Sequence, residues 1–564
     1  MTKKIKMVQN QILQYRTTRL LLLAFTAGAL LQSCYKGEEA DLVVHNANIY
    51  SIDDNFSAYN AMAITDGKIV ALGAEREILN KYSAKEKVDA RKMTVFPGFY
   101  DAHSHFLGSA NNRGEINLFE TESFDDVLDR VGDFAKTSDR NWLVGRGWDQ
   151  NTWPEKSFPD KTQLDEFFPD RPVFLTRVDG HAALVNQAAL DLAGIDQNTK
   201  ISGGKIEKTE GGDLTGILID RATELMEAVV EPLDREERLK LIAEAEQACI
   251  EAGLTTVTDA GLSVADVLFI DSLHKSGELK LGVYAMFNPN AETLEQMEQG
   301  PILSDRLTAR SVKLYSDGAL GSRGALLKEP YADDPENYGI QLLTDSVFDL
   351  FATACLENDF QLNTHCIGDS ANAHVLRLYA SVLERMNDRR WRIEHAQIVS
   401  RDDRLMFGDY GIIPSVQPVH ATSDGPWAED RLGAERMENA YAYRTLKKEL
   451  GLLALGTDFP VERISPIENY YAAVFRKNRF GEPEEGFRPE ESLTRQEALR
   501  GITIWAALAS FEDDKKGSLE VGKQADFVVL DRNLIKAPEE DILKTRVLAT
   551  YIHGEEVYRS AKLR

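Results

Sequence analysis

Two histidines, His103 and His105, stand two residues apart at the end of the apolar run "VFPGFYDAHSH". Alternate side chains of a strand share a face, so both imidazoles can reach one cation, with Asp101 preceding them on that face. A lone His-x-His is more often a pair of surface histidines, but further ligand types recur at the ends of later runs. His365 ends "LNTHC" and His395 ends "RIEHA"; their neighbours Cys366 and Glu394 are expected to point the other way. Lys313 ends the run in "SVKLYSD". A lysine inside a barrel carries a costly charge unless it is paired or modified. Salt-bridged to Asp317 or Glu394 it is structural; carboxylated by carbon dioxide it becomes an anionic ligand able to bridge two cations. Asp458, in "LALGTDFP", either caps the following helix or takes a proton from a metal-activated water and delivers it to a leaving group. The set predicts one or two divalent ions, zinc first among the metals that imidazole and carboxylate accept, and a hydrolytic reaction.

Such ligands lie far apart in the chain, so an architecture must gather them. From about Phe96 the chain alternates short apolar runs with helical segments, the pattern of parallel strands joined by crossover helices. Eight strand candidates end near "VFPGFYDAHSH", "LTTVTDAG", "LGVYAMF", "SVKLYSD", "FQLNTHC", "WRIEHA", "GIIPSVQ" and "GLLALGTDFP". They predict a TIM-type (β/α)8 barrel over 96–512, which places chemistry at the carboxyl ends of its strands. Roughly 150 residues separate the first two strands, far beyond an ordinary connection. An inserted subdomain at about 107–250 is therefore expected. It contains "NWLVGRGWDQNTWPE", "RPVFLTRVDGHAALVNQAAL" and the Gly-rich "SGGKIEKTEGGDLTG".

Both chain ends read as strands. "DLVVHNANIYSID" and "AMAITDGKIVALG" near the start match "KGSLEVGKQADFVVLD" and "VLATYIHGEEVY" near the end in character. A small β-sandwich composed of 41–95 and 513–564 follows, since the two ends of a domain usually lie close together.

The first nineteen residues carry Lys3, Lys4, Lys6, Arg16 and Arg19 without an acid, and an apolar run from Leu20 to Leu31 follows. This is a signal-peptide layout for 1–33, with a run too short to span a bilayer of about 30 Å. The segment Leu31-Gln32-Ser33-Cys34 resembles a bacterial lipobox. The resemblance implies an exported protein lipid-anchored at Cys34, with 34–40 as a solvated tether; the alternative is an ordinary secretory signal with a chance cysteine. The net charge of −26 becomes −31 without the five leader cations, which disfavours nucleic acid as a partner. Cys249, Cys355 and Cys366 are an odd number and far apart, so they read as buried hydrophobes rather than a disulfide framework.

His-x-His, the lysine of "KLYS", two later histidines and "GTD", in this order, resemble the amidohydrolase superfamily. The flanking "PGFYDAHSH", "DGHAALVN", "SDGALGSRGA", "THCIGDSAN", "IEHAQ" and "GSLEVGKQADFVVLD" resemble amidohydrolase family 3, with N-substituted formamide deformylase among its members. The resemblance covers nearly all of the chain after the leader. It implies metal-dependent hydrolysis of a carbon–nitrogen bond in a small amide-type molecule. It also implies that His103, His105, His365 and His395 are ligands, that Asp458 is a ligand and general acid/base, and that Lys313 is a bridge. His181, in "DGHAALVN", then binds or polarises the substrate, or else caps the helix of "AALVNQAAL". Trp148, with Trp153 and Trp427, either lines the pocket or packs in a core. Arg323 either meets a substrate carboxylate or lies at the surface. A mononuclear deaminase or cyclic-amide hydrolase of the same fold is the catalytic alternative. A deaminase would lack the fourth-strand lysine and carry a glutamate shortly after the fifth-strand histidine, where this chain has Asp369. A silent binding protein is the non-catalytic alternative.

Overall fold

A computed structural model describes residues 37–561. Eight strands pair in parallel in chain order: β1 (Phe99–Ser104), β2 (Leu254–Leu262), β3 (Gly282–Phe287), β4 (Leu307–Tyr315), β5 (Gln361–Cys366), β6 (Arg392–His395), β7 (Ile413–Val416) and β8 (Ala454–Leu455), with the short strand Ile302–Leu303 added antiparallel to β4. These are the eight runs singled out above. Almost every residue on them is buried, because helices cover the outside while side chains fill the inside. Their crossover helices carry local stop and start signals; Ser263 caps Val264–Ser276, which ends at left-handed Gly277.

The ring closes where β8 meets β1. The Asp458 N–H donates to the His103 carbonyl at 2.7 Å and the His105 N–H to the Phe459 carbonyl at 2.8 Å. The Thr457 N–H and hydroxyl both donate to the Asp101 carboxylate, at 3.0 and 2.7 Å. Gly456 permits this approach, since a Cβ there would sit 2.4 Å from the His103 nitrogen. Asp101 thus ties first strand to last.

Two further sheets draw on the chain ends. One orders strands Lys68–Gly73, Ala61–Thr65, Glu38–His45 and Tyr82–Asp89; the other orders Glu555–Arg559, Val547–Ile552, Phe527–Leu530, Thr94–Pro97, Asn48–Tyr50 and Ala58–Tyr59. They share a buried cluster that includes Leu42, Val44, Ile64, Phe527 and Tyr551. The expected tether at 34–40 is corrected for its last residues. Glu38, Glu39 and Ala40 pair with Tyr82, Ser83 and Ala84, and Lys81 holds Glu38 at 3.4 Å. Their acids read as solvated spacer because Glu38 and Glu39 are exposed at the start of the strand. The leader and Cys34 lie outside the described residues.

Between β1 and β2 a third sheet orders Gly204–Lys208, Leu214–Asp220, Ala182–Val185, Val173–Arg177, Leu143–Trp148 and Ile116–Asn117. It has its own core around Trp148, Trp153, Leu175 and Leu184. Helix Arg235–Glu251 then shares the main barrel cluster through Leu241, Ile242 and Ala245, so this stretch belongs to the barrel. Among the described residues no helix is long and apolar enough to cross a membrane.

Candidate metal centre

His103 ends β1 and His105 begins the turn into helix Phe106–Asn112, so both reach the carboxyl mouth of the barrel. The His105 Nε2 lies 3.2 Å from Asp458 Oδ1, and the His103 Nε2 lies 3.7 Å from it. His395 stands beside His103 with ring centroids 4.9 Å apart, and His365 beside His395 at 4.5 Å. Ligand atoms of His103, His395 and Asp458 all fall within 4.8 Å of one another.

Three of the four imidazoles, those of His103, His105 and His395, are oriented from behind. The His105 Nδ1 lies 2.9 Å from the Ala260 carbonyl, which can only accept, so Nδ1 carries the proton and Nε2 keeps its lone pair. The His103 Nδ1 meets the Glu394 carboxylate, and the His395 Nδ1 lies 2.8 Å from Gln417 Oε1, with the same consequence. Burial, reinforced by neighbouring Lys313, pushes the His103 pKa down to about 4. Burial also drives His365 and His395 well below the usual histidine range. Neutral imidazoles with free lone pairs are what a cation requires.

Asp458 stands within 4.0 Å of the His103, His105 and His395 rings. Its Oδ1 is buried and makes no hydrogen bond. A buried, ionised, unsatisfied carboxylate oxygen among neutral imidazoles fits a divalent cation by the chemistry of the donors.

Glu394 does not point away as strand alternation led us to expect. Its carboxylate enters the barrel, where it meets Arg392 at 2.7 Å as well as His103. His395 adopts φ 70° and Ala396 φ 37°, so the strand's alternation ends at Glu394 and the left-handed backbone swings His395 to the mouth. Asp458 does the same with φ 62°. Backbone of this kind costs about 1–3 kcal/mol per residue and clusters at functional sites.

Lys313 is buried on β4, with Nζ 3.2 Å from the His103 Nε2 and 4.9 Å from the centre of the Tyr315 ring. Burial brings its pKa down to about 8. Neither acid weighed as its salt-bridge partner comes within 4 Å. Asp317 instead accepts backbone N–H groups of Leu326, Ile367 and Gly368 at 2.8–3.0 Å, fixing the loops after β4 and β5.

The mouth opens into a cavity of about 1140 Å³ lined by residues of the barrel and of the inserted sheet. His181 lines it, 5.2 Å from the His365 ring, and its Nδ1 is held by Asp220 at 2.8 Å. It does not cap the next helix; Asn186 does, accepting the Ala189 N–H. Two expected substrate contacts are corrected. Trp148 is 1% exposed, donates Nε1 to the Leu175 carbonyl and packs in the inserted sheet's core. Of the three tryptophans considered, Trp427 is the one on the cavity wall. Arg323 turns to Asp333, at 2.9 Å, and is absent from the wall. Sequence reasoning missed His420, which lines the cavity with Nε2 3.8 Å from Asp458 Oδ2. Its signal was position: "QPVHAT" directly follows the seventh strand.

Residues 86–558 match the amidohydrolase family model. The chain belongs to the amidohydrolase family. It is 33% identical over 542 residues to the protein LONG AFTER FAR-RED 3 of Arabidopsis thaliana, covering 93% of this chain and 92% of that one. It is 27% identical over 546 residues to the N-substituted formamide deformylase of Arthrobacter pascens, covering 91% and 97%. The crystal structure of an uncharacterized metal-dependent hydrolase from Pyrococcus horikoshii superposes with a TM-score of 0.72 at 27% identity, over 88% of this chain and 99% of that one. This amidohydrolase is a metal-dependent hydrolase of carbon–nitrogen bonds.

The corrected place of Trp148 in this amidohydrolase carries an expected result. Trp148→Ala empties a core position and is expected to cost about 3–5 kcal/mol of stability, read as a lower denaturation midpoint, while the affinity of the folded protein for substrate is unchanged.

Proposed function

We propose that the protein hydrolyses small N-formyl or N-acyl amines at the barrel mouth. His103, His105, His365 and His395 would hold one or two divalent cations, zinc by preference; a carboxylated Lys313 would supply an anionic ligand able to bridge two, and Asp458 would serve as both ligand and proton shuttle. The convergence of these side chains from five strand ends, with Asp458 Oδ1 left without a hydrogen bond, carries the reading. A bound divalent cation supplies Lewis acidity and lowers the pKa of water. Asp458 takes the proton of the attacking water and returns it to the leaving nitrogen. Glu394, Ala260 and Gln417 keep the imidazole protons turned away from the centre. The A. pascens relative, a deformylase of N-substituted formamides, supports the amide class.

We read the two terminal sheets as one β-sandwich domain and the sheet of 116–220 as a subdomain that covers the mouth. His181 reaches the cavity from it and polarises the substrate. His181→Ala is expected to lower kcat/KM by ten- to a hundredfold, the worth of a hydrogen bond to a charged group, with metal content intact. Loss of fold alone would return His181 to a structural role. Nothing favours deamination, since Asp369 accepts the Lys328 backbone N–H and starts helix Asp369–Val382.

Export and lipid anchoring at Cys34 complete the proposal. They rest on the basic leader and short apolar run, and Cys34→Ser is expected to move the protein from the membrane fraction to the soluble one. The decisive experiment pairs metal analysis of the purified protein with a screen of N-formyl and N-acyl amines. Bound metal with turnover of some of them supports the reading; a metal-loaded protein inert toward all of them overturns it.

A further inference from the structure

Helix Pro418–Met437 follows β7 and lays one face along the cavity. His420, Asp424 and Trp427 are four and three residues apart, the spacing that puts side chains on one helical face, and all three line the wall. The wall also carries Glu462, beside the helix, and Asp149. Asp424 accepts from the Tyr441 hydroxyl at 2.8 Å, and Glu462 from the Ser423 hydroxyl at 2.5 Å, both neutral donors. Arg177 is bound between Asp149 and Asp179. Around this face stand the carboxylates of Asp149, Asp179, Asp424 and Glu462 with Arg177 among them, while the rest of the cavity wall also carries Arg113, Arg146, Arg463, Lys477 and Arg479. The next cations have acids of their own: Arg431 is held by Asp333 and Arg463 lies 3.9 Å from Glu468. Burial pushes the Asp424 carboxyl up to about 7; His420 opposes the rise, and Glu462 and Asp149 add to it.

An acidic wall alone would not define a ligand. His420 supplies the second observation: it is 8% exposed, lies on the cavity wall, and its Nε2 is buried without a hydrogen-bond partner. Buried polar atoms are left this way where a ligand completes them. Beside it Trp427 lines the same space, with the Arg431 guanidinium 5.7 Å from its ring centre, and aromatic faces attract cations.

We propose that this helix face, together with Glu462 and Asp149, is a subsite for a cationic, ammonium-bearing substituent of the substrate. The carboxylates neutralise the charge, Trp427 packs on the ammonium, and His420 Nε2 takes a polar group between that substituent and the scissile bond. The proposal deepens the amide-hydrolase reading and rests on it for the identity of the reaction.

Equilibrium binding tests it without turnover. Metal-loaded protein is titrated with choline and with its uncharged isostere 3,3-dimethylbutanol, which share size and hydroxyl and differ in one positive charge. Choline is expected to bind at least about tenfold more tightly. Asp424→Asn and Glu462→Gln, separately and together, are expected to erase most of that preference while leaving the isostere's affinity and the metal content unchanged. Trp427→Leu, which removes no charge, is expected to reduce it about threefold and serves should the Asp424 variant fail to fold. Equal affinity of the two probes for the unaltered protein, or a preference that survives the double variant, overturns the subsite. A charge preference in a protein that cleaves no amide would sink the reaction and leave the subsite standing.

Discussion

Asp458→Asn is expected to lower turnover by at least ~10²-fold, the typical contribution of a positioned acid/base. The change keeps the size of the side chain and one oxygen, and it suits the backbone, because asparagine tolerates the left-handed conformation at φ 62° as aspartate does. Alanine there would add strain to the loss of the carboxylate and confuse the two effects. What the amide lacks is the basicity to accept the water's proton. Steady-state rates on an N-acyl amine, with metal content and denaturation midpoint measured alongside, separate the shuttle from a merely structural acid. Near-normal turnover in folded, metal-replete Asp458→Asn would end the assignment.

Lys313→Ala is expected to lose one metal ion per chain and most activity. The Lys313 Nζ sits 3.2 Å from the His103 Nε2 and no closer than 4 Å to Asp317 or Glu394, so an ammonium there would repel the cation that the imidazoles bind. Carboxylation joins the neutral amine to carbon dioxide with release of a proton and turns that repulsion into ligation. Burial brings the lysine pKa to about 8 and so supplies the neutral amine. A small carboxylic acid entering the vacated space is expected to restore part of both metal and activity. Full activity with one ion per chain in the alanine variant would leave a mononuclear centre and a structural lysine.

The eight barrel strands were legible because each is a short apolar run closed by turn residues, and because a buried parallel strand hides both of its faces. The ligand candidates were legible for a related reason. An ionisable residue at the end of such a run stands out against its apolar context, as with His103 after "FPGFYDA", Lys313 in "KLYSD" and Asp458 in "LGTDFP". Tryptophan and arginine give no such signal. Trp148 and Trp427 are chemically identical in the sequence, yet one donates its Nε1–H into a sheet core and the other lines the cavity.

The sequence by itself determined the set of elements and the chemical types at their ends, since hydrophobic periodicity and residue identity are local properties. Only the tertiary structure decided which of those groups meet. Strand alternation predicts an outward Glu394; the left-handed turn at His395 and Ala396 breaks that alternation and brings the histidine to the mouth, while the Glu394 carboxylate lies behind His103. His420 and Asp424 lie on a helix face that the closed barrel and the inserted sheet turn into a cavity wall. The physical reason is the same in both cases. Contacts between groups hundreds of residues apart depend on backbone torsions and on the closing of the barrel, and neither leaves a periodic mark in the chain.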